Sequence, residues 1–466
     1  MKKTIEKERL NTLPAKMLYE AKDEVVSLLQ KLIRFNTTNP PGNETQAAEF
    51  LKETLESEGF ECEFFESAPG RGSVITRIKG KTRKPRLLLL SHLDVVAANP
   101  EEWSVDPFAG IVKDGFVWGR GAIDMKSMTA VEVMIMKLLK RNGVKPRGDI
   151  ILAATADEEM GGEAGVGWLV KKHPEKIRAE YVINEGGGFT IPVKNRNLYT
   201  VQTAEKAIVW LKIRAKGTPG HGSIPGAADN AVMRMAKIVQ LLGSYRSKIK
   251  LVPTVKRNLE ELAKGGGIQQ RFFTKLLANP TLADKVLDML AKKEKSLAET
   301  IRAMLRATIA PTIIHGGVKE NIIPSRCEAV FDCRILPGQT KDMLLNEIKA
   351  VLKKNGVELD KLEFEILQEN TPSESPVETP LYTAIEKTLR EFDPNCGVTP
   401  FMMTGGTDSR FLREIGCVCY GFMPTKPDLP FNEFLKMAHG IDERISIQNL
   451  VFSLSVLYRL VENFMT

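Results

Sequence analysis

Residues 87–94 read Leu87-Leu88-Leu89-Leu90-Ser91-His92-Leu93-Asp94. Four consecutive leucines are apolar on both faces of a strand, the pattern of a strand inside a parallel sheet covered by helices on both sides. His92 and Asp94 follow at the polar end of this run. Two residues apart on a strand, they share a face, beyond the carboxyl end where ligands of open α/β sheets bind. Working outward, Ile150-Ile151-Leu152-Ala153-Ala154 and Tyr181-Val182-Ile183 read as further buried strands. Helical spacing appears between them. It runs through Val25, Leu29 and Ile33, through Ala47, Leu51 and Leu55 up to Gly59, and through Met128, Val131, Ile135 and Leu138 up to Asn142-Gly143. This alternation predicts an α/β domain with a mainly parallel sheet.

Near residue 205 the rhythm changes. Ile208–Ile213 reads as a strand, followed by the loop Gly217-Thr218-Pro219-Gly220-His221-Gly222 and a helix over about 230–242. Strands are expected at about 308–315, 327–336 and 361–368, with a helix at about 341–354. Together these give an inserted α+β, ferredoxin-like domain. The Lys-, Leu- and Ala-rich stretch at about 250–306 reads as extra helices within it. After Pro372-Ser373-Glu374-Ser375-Pro376 the α/β rhythm resumes. The expected organisation is a discontinuous catalytic domain, 1–206 with 373–466, split by an inserted domain, 207–372.

Composition excludes several classes. Of the 466 residues, 43% are hydrophobic and 27% charged, which is globular rather than disordered. No apolar run approaches the ~18 residues of a membrane span. Met1–Arg9 has no apolar core, so no secretory signal is expected. The net charge of +8 is scattered, so no nucleic-acid or membrane partner is expected. Six cysteines form no Cys-x-x-Cys pair. Cys327 with Cys333, and Cys417 with Cys419, are expected to be small buried hydrophobes of a reduced, cytoplasmic protein. Gly80-Lys81-Thr82 lacks the first glycine of a phosphate-binding loop.

Four segments deliver acids or histidine at a strand exit or a helix entry: His92 with Asp94, Asp124 in Gly119-Arg120-Gly121-Ala122-Ile123-Asp124-Met125-Lys126, Asp157-Glu158-Glu159, and Glu185 before three glycines. Taken singly, these read as a polar strand end, a helix N-cap, a solvated acidic loop and a turn. On parallel neighbours they would share one rim, where a histidine and several carboxylates make a metal site. The acids are too many for one tetrahedral ion and suit two ions sharing a bridging carboxylate. Three carboxylates in a row after a buried strand are costly unless something positive sits between them.

These motifs, in this order, resemble the dinuclear-zinc amidohydrolases that include aminoacylase, carboxypeptidase G, carboxypeptidase S, acetylornithine deacetylase and succinyl-diaminopimelate desuccinylase. The resemblance runs from Asn36-Thr37-Thr38-Asn39-Pro40-Pro41-Gly42 to Ala438-His439-Gly440-Ile441-Asp442-Glu443. The helical stretch is closest to the carboxypeptidase S-like branch. The resemblance implies two zinc ions per chain, with cobalt or manganese as possible substitutes. His92 and Glu185 would hold one ion, Glu159 and His439 the other, and Asp124 would bridge them. Asp94 would orient His92, and Glu158 would be the general base. The inserted domain would be a lid that forms a homodimer and brings His221 to the oxyanion of the partner's site. Asn321, Arg334 and the loop Gly405-Gly406-Thr407 would lie against the substrate. The implied reaction is hydrolysis of an amide bond in an N-acyl amino acid or short peptide with a free carboxylate. An aminopeptidase or dipeptidase is the alternative, and a non-catalytic binding protein on the same scaffold a remote one. His173 and His315 match no motif.

Overall fold

The computed structural model describes residues 21–82, 85–194, 196–265, 267–429, 433 and 436–466. Met1–Arg9 lies outside the described residues. Strands β1 (Cys62–Glu66), β2 (Gly72–Ile78), β3 (Pro85–His92), β4 (Asp149–Thr155), β5 (Tyr181–Asn184) and β6 (Arg196–Glu205) come first. Four more follow, β7 (Ala207–Lys216), β8 (Thr308–Gly316), β9 (Arg326–Ile335) and β10 (Leu362–Glu369), before β11 (Val418–Gly421). The chain divides into two compact units. One holds the residues up to Thr203 with Ser375–Phe401 and Thr407–Thr466; the other holds Ala204–Glu374 with Met402–Gly406.

The sheet of the first unit has the order β1-β2-β4-β3-β5-β11-β6. Its centre is parallel: β3 pairs with β4 and with β5, and β5 with β11. Antiparallel pairs lie at the flanks. Leu87 to Leu90 are fully buried, each worth roughly 1.5–3 kcal/mol of transfer free energy. His92 stands opposite Thr155 and Leu89 opposite Ile183. The chain therefore leaves β3, β4 and β5 on one rim, which is the placement the motifs require. Helix Lys126–Arg141 packs on β3 and against helices Lys22–Arg34 and Ile447–Met465. It is buried on every side from Lys126 to Leu139. The sequence spacing marked only one apolar face, but neighbours on all sides make this a core helix.

In the second unit four antiparallel strands are ordered β8-β9-β7-β10. Helices Ala231–Gly243 and Lys341–Lys354 complete a βαββαβ succession. The inward residues of β7 and β9 alternate at period two (Val209, Leu211, Ile213; Ala329, Phe331, Cys333) and pack with Met235, Ile238, Leu344 and Ile348. Four helices, Pro253–Gly265, Ile268–Leu277, Ala283–Ala291 and Lys295–Leu305, form the expected helical stretch. Cys327, Cys333, Cys417 and Cys419 are buried free thiols. Among the described residues no helix is long and apolar enough to cross a membrane.

Candidate metal centre

The rim gathers the residues that the four segments supply. His92 ends β3 and is buried. Its Nε2 lies 3.3 Å from Asp124 Oδ1 and 3.8 Å from Glu185 Oε1. His439 Nε2 lies 3.1 Å from Asp124 Oδ2 and 3.1 Å from Glu159 Oε2. Asp124 therefore faces one histidine with each oxygen. Two triads result, His92–Asp124–Glu185 and Asp124–Glu159–His439, each with donor atoms within 4.8 Å of one another. The helix-cap reading of Asp124 does not hold: the next helix begins at Lys126, and no side chain caps it.

Asp94 is fully buried and holds the acidic turn. Its Oδ1 accepts the backbone N–H of Glu158 at 3.1 Å, and its Oδ2 those of Glu159 at 3.0 Å and Asn39 Nδ2 at 2.8 Å. His92 Nδ1 is nearer the Asp94 carbonyl oxygen, at 2.9 Å, than its carboxylate, at 3.4 Å. The orientation of the imidazole thus comes from the backbone as well as the side chain. Glu443 does the corresponding work for the Asp124 loop. Its Oε2 accepts from Arg120 Nη1 at 2.7 Å and Gly121 N at 3.1 Å; its Oε1 accepts from Ile123 N at 2.6 Å and Asp124 N at 3.0 Å.

The charges fit a cation. Burial, then the charge of Asp124, pushes the Glu185 carboxyl well above its ordinary range; burial, then Glu185, does the same to Glu158. Burial also raises Glu159, whose Oε1 is buried without a hydrogen-bond partner. Hydrogen bonds to Asp124 and Glu159 push His439 up to about 10. Carboxylates crowded this closely hold each other neutral or pull protons onto the histidines. A divalent ion removes that repulsion, and mixed imidazole and carboxylate donors suit zinc and its neighbours.

Asp408 follows Thr407 and is buried, and burial pushes its carboxyl to about 7. A Cβ on Gly162 would lie 2.0 Å from Asp408 Oδ1, so only glycine fits at this close approach. Thr407 Oγ1 accepts the backbone N–H of Ser409 at 3.2 Å, which is turn geometry.

His221, Asn321 and Arg334 belong to the second unit. His221 pairs with Ile322 in a two-stranded ribbon, and Gly222 N donates to Asn321 O at 2.8 Å, so the ribbon brings His221 and Asn321 together. His221 is exposed; its Nδ1 lies 2.6 Å from Ser223 Oγ. Arg334 is not an open fork: Nε and Nη2 donate to Asp332 at 2.7 and 3.0 Å. Gly405 and Gly406 close the segment Met402–Gly406 of that unit. His173 is half-buried against the rings of Phe65 and Trp168, and His315 is exposed.

The model of Peptidase family M20/M25/M40 matches residues 88–463. An N-fatty-acyl-amino acid synthase/hydrolase of Xenopus tropicalis is 28% identical over 398 residues, 81% of this chain and 72% of the relative. Aminoacylase-1A of Rattus norvegicus is 26% identical over 451 residues, 95% of each chain. An M20 family metallo-carboxypeptidase from Sulfolobus solfataricus matches in structure with a TM-score of 0.71 at 19% identity, over 95% of this chain and 99% of the other.

Proposed function

The chain belongs to Peptidase family M20/M25/M40, and from that premise we propose that it hydrolyses the amide bond of an N-acyl amino acid or short peptide carrying a free carboxylate. The observation that carries this reading is Asp124, whose two oxygens face His92 and His439 at 3.3 and 3.1 Å. His92 and Glu185 would hold one zinc ion and Glu159 and His439 a second, with Asp124 shared. Bound there, the ions would polarise the scissile carbonyl and acidify water. Glu158 takes a proton from the attacking water and returns it to the leaving nitrogen. Burial raises its proton affinity, the direction that favours a carboxylate acting as a base. Asp94 keeps His92 and the acidic turn in register. The acylase and carboxypeptidase names of the relatives support the substrate class.

The second unit would serve as lid. His221 would stabilise the oxyanion of the partner's site. Asn321 and the loop Gly405–Thr407 would line the substrate. In Arg334 the two nitrogens held by Asp332 leave Nη1 to meet a substrate carboxylate. The edge strand β8 and the adjacent helix expose Ile313, Ile314 and Met233, which supports a homodimer formed through the lid. Free buried thiols are consistent with a cytoplasmic setting.

The test is a hydrolysis panel on zinc-loaded protein. It compares N-acetyl, long-chain N-acyl and N-succinyl amino acids with dipeptides, each with and without a free carboxylate, and takes Glu158→Gln as the control. We expect carboxylate-bearing amides to be cleaved, a chelator to abolish the activity, and Glu158→Gln to lower kcat by ~10²–10⁴ with both ions retained. Cleavage that requires a free α-amine instead would move the protein to the aminopeptidase class. Near-normal turnover by Glu158→Gln would place the base elsewhere.

A further inference from the structure

The loop Asn39-Pro40-Pro41-Gly42-Asn43-Glu44 supplies none of the proposed ligands, yet it encloses a buried arginine. Arg71 is 7% exposed. Its Nη1 lies 2.9 Å from Glu44 Oε1 and donates to Pro41 O at 3.4 Å, and its Nη2 donates to Asp157 Oδ1. Gly42 leaves room for this group: a Cβ there would fall 1.2 Å from Arg71 Nη1, and Gly42 has φ +83°. Asn39 completes the cradle, its Nδ2 donating both to Asp94 Oδ2 at 2.8 Å and to Asp157 Oδ1 at 3.2 Å.

Asp157 is the residue from which the acidic turn springs. It is a left-handed, non-glycine residue at φ 77°, a conformation that persists only where its surroundings impose it. Its Oδ2 accepts Ala164 N at 2.7 Å, and its carbonyl accepts Met160 N at 3.2 Å and Gly162 N at 2.6 Å. The short helix Glu158–Met160 begins immediately after it. The conformation of Asp157 therefore sets where the side chains of Glu158 and Glu159 emerge.

We propose that Arg71, clamped by the Asn39–Glu44 loop, is a positioning residue that holds Asp157 and thereby aims Glu158 and Glu159 at the reaction centre. The proposal deepens the hydrolase reading and rests on it for the role of Glu158. For the role of Glu159 it rests only on the metal site. Arg71 is not among the proposed ligands; its partners are Glu44, Pro41 and Asp157. It acts through Asp157, and Asn39 ties the same carboxylate to Asp94, so the turn is fixed at its start and along its backbone.

The experiment uses the full-length protein and compares Arg71→Met, Arg71→Lys and Asp157→Asn with wild type. Asp157→Asn keeps side-chain size and tolerance of the left-handed conformation but removes the ion pair, and it serves if Arg71→Met does not fold. Three quantities are read on variants shown to be folded by circular dichroism: kcat and KM on a cleaved amide, and zinc affinity by competition with a chromophoric chelator. We expect kcat to fall ~10–100-fold with KM changed less than about threefold, the effect of misplacing a catalytic group by about 1 Å. We expect zinc affinity at the Glu159–His439 site to fall ~10–100-fold, as when a group supporting a metal ligand is lost. Arg71→Lys should recover part of both. Folded Arg71→Met and Asp157→Asn with wild-type kcat and zinc affinity, whatever their melting temperatures, would overturn the proposal. If the wild type cleaves no amide, the hydrolase reading fails, and the zinc-affinity arm still decides whether Arg71 positions Glu159.

Discussion

Replacing Glu443 should disturb Asp124, the proposed bridging ligand, without touching its carboxylate. The Glu443 carboxylate is fully buried and accepts four hydrogen bonds, one from the guanidinium of Arg120, itself 3% exposed, and three from backbone N–H groups of the Gly121–Asp124 turn. Glu443→Ala removes all four and leaves a buried cation whose remaining partners are the Ala97 carbonyl at 3.3 Å and the ring of Trp103 at 5.2 Å. Breaking a buried pair from one side costs ~3–5 kcal/mol. Glu443→Gln keeps the volume and one accepting oxygen, so two of the four bonds survive, and the two donors left facing the amide NH2 cost at least ~1.5–3 kcal/mol. The isosteric change is the sharper test, because it opens no cavity. Urea unfolding at constant m should order the three proteins as wild type, Glu443→Gln, Glu443→Ala. Because Asp124 N is one of the four donors, zinc content after dialysis should fall in the same order. Stability of Glu443→Gln within ~0.5 kcal/mol of wild type, the size of a neutral surface change, would refute the claim that this carboxylate holds the Asp124 turn.

Other outcomes follow from the charges. In the ion-free protein His439, raised to about 10 by Asp124 and Glu159, carries a proton at pH 7, so zinc binding should release it and zinc affinity should rise with pH; calorimetry in two buffers of different ionisation enthalpy reads the release, and a buffer-independent enthalpy would contradict it. Lys206 is buried, its Nζ 3.0 Å from the carbonyl oxygens of Ala303 and Arg306, and burial lowers it from 10.5 to about 7. Between those values the unfolded chain binds the extra proton, so this group's contribution to stability rises with pH from about 7 upward to about 10.5, on the order of 5 kcal/mol in all; the difference between wild type and Lys206→Met should carry that slope, and parallel pH curves would deny it. His221→Ala should be folded, zinc-loaded and nearly inactive, a lost oxyanion donor costing ~3–4 kcal/mol. Mixed with Glu158→Gln under subunit exchange it should regain activity, and a dead mixture containing proven heterodimers would exclude action across an interface.

What the sequence disclosed and what it withheld divide along a physical line. The leucine run before His92, the apolar strands before Asp157 and Glu185, and the period-two pattern of β9 are local signals, and the elements they predict are present. Because parallel strands that end level expose their exits on one rim, the acids gathered there were legible from topology alone. His439 was reached only through the family resemblance, since no local pattern links it to Asp124, 315 positions earlier in the numbering. Glu443 is given no role by the sequence at all, its partner Arg120 lying 323 residues away.

Buried cations were the hardest to read, because a lone arginine or lysine in a sequence looks like a solvated surface group. Arg71 sits in Gly70-Arg71-Gly72, which has the composition of an exposed turn; the half-buried Arg334 likewise looks free until its bidentate contact with Asp332 is seen. Yet the sequence did state the demand. Asp157-Glu158-Glu159 directly after a buried strand is costly without positive charge nearby, and a metal is the source that local reasoning names. The structure divides that demand between two sources: the guanidinium of Arg71 for Asp157, and the histidine-lined triads for Glu159. Glu158 is in neither triad; burial and the charge of Glu185 raise its proton affinity and the charge of His92 opposes them, which is the setting in which the proposed base would work.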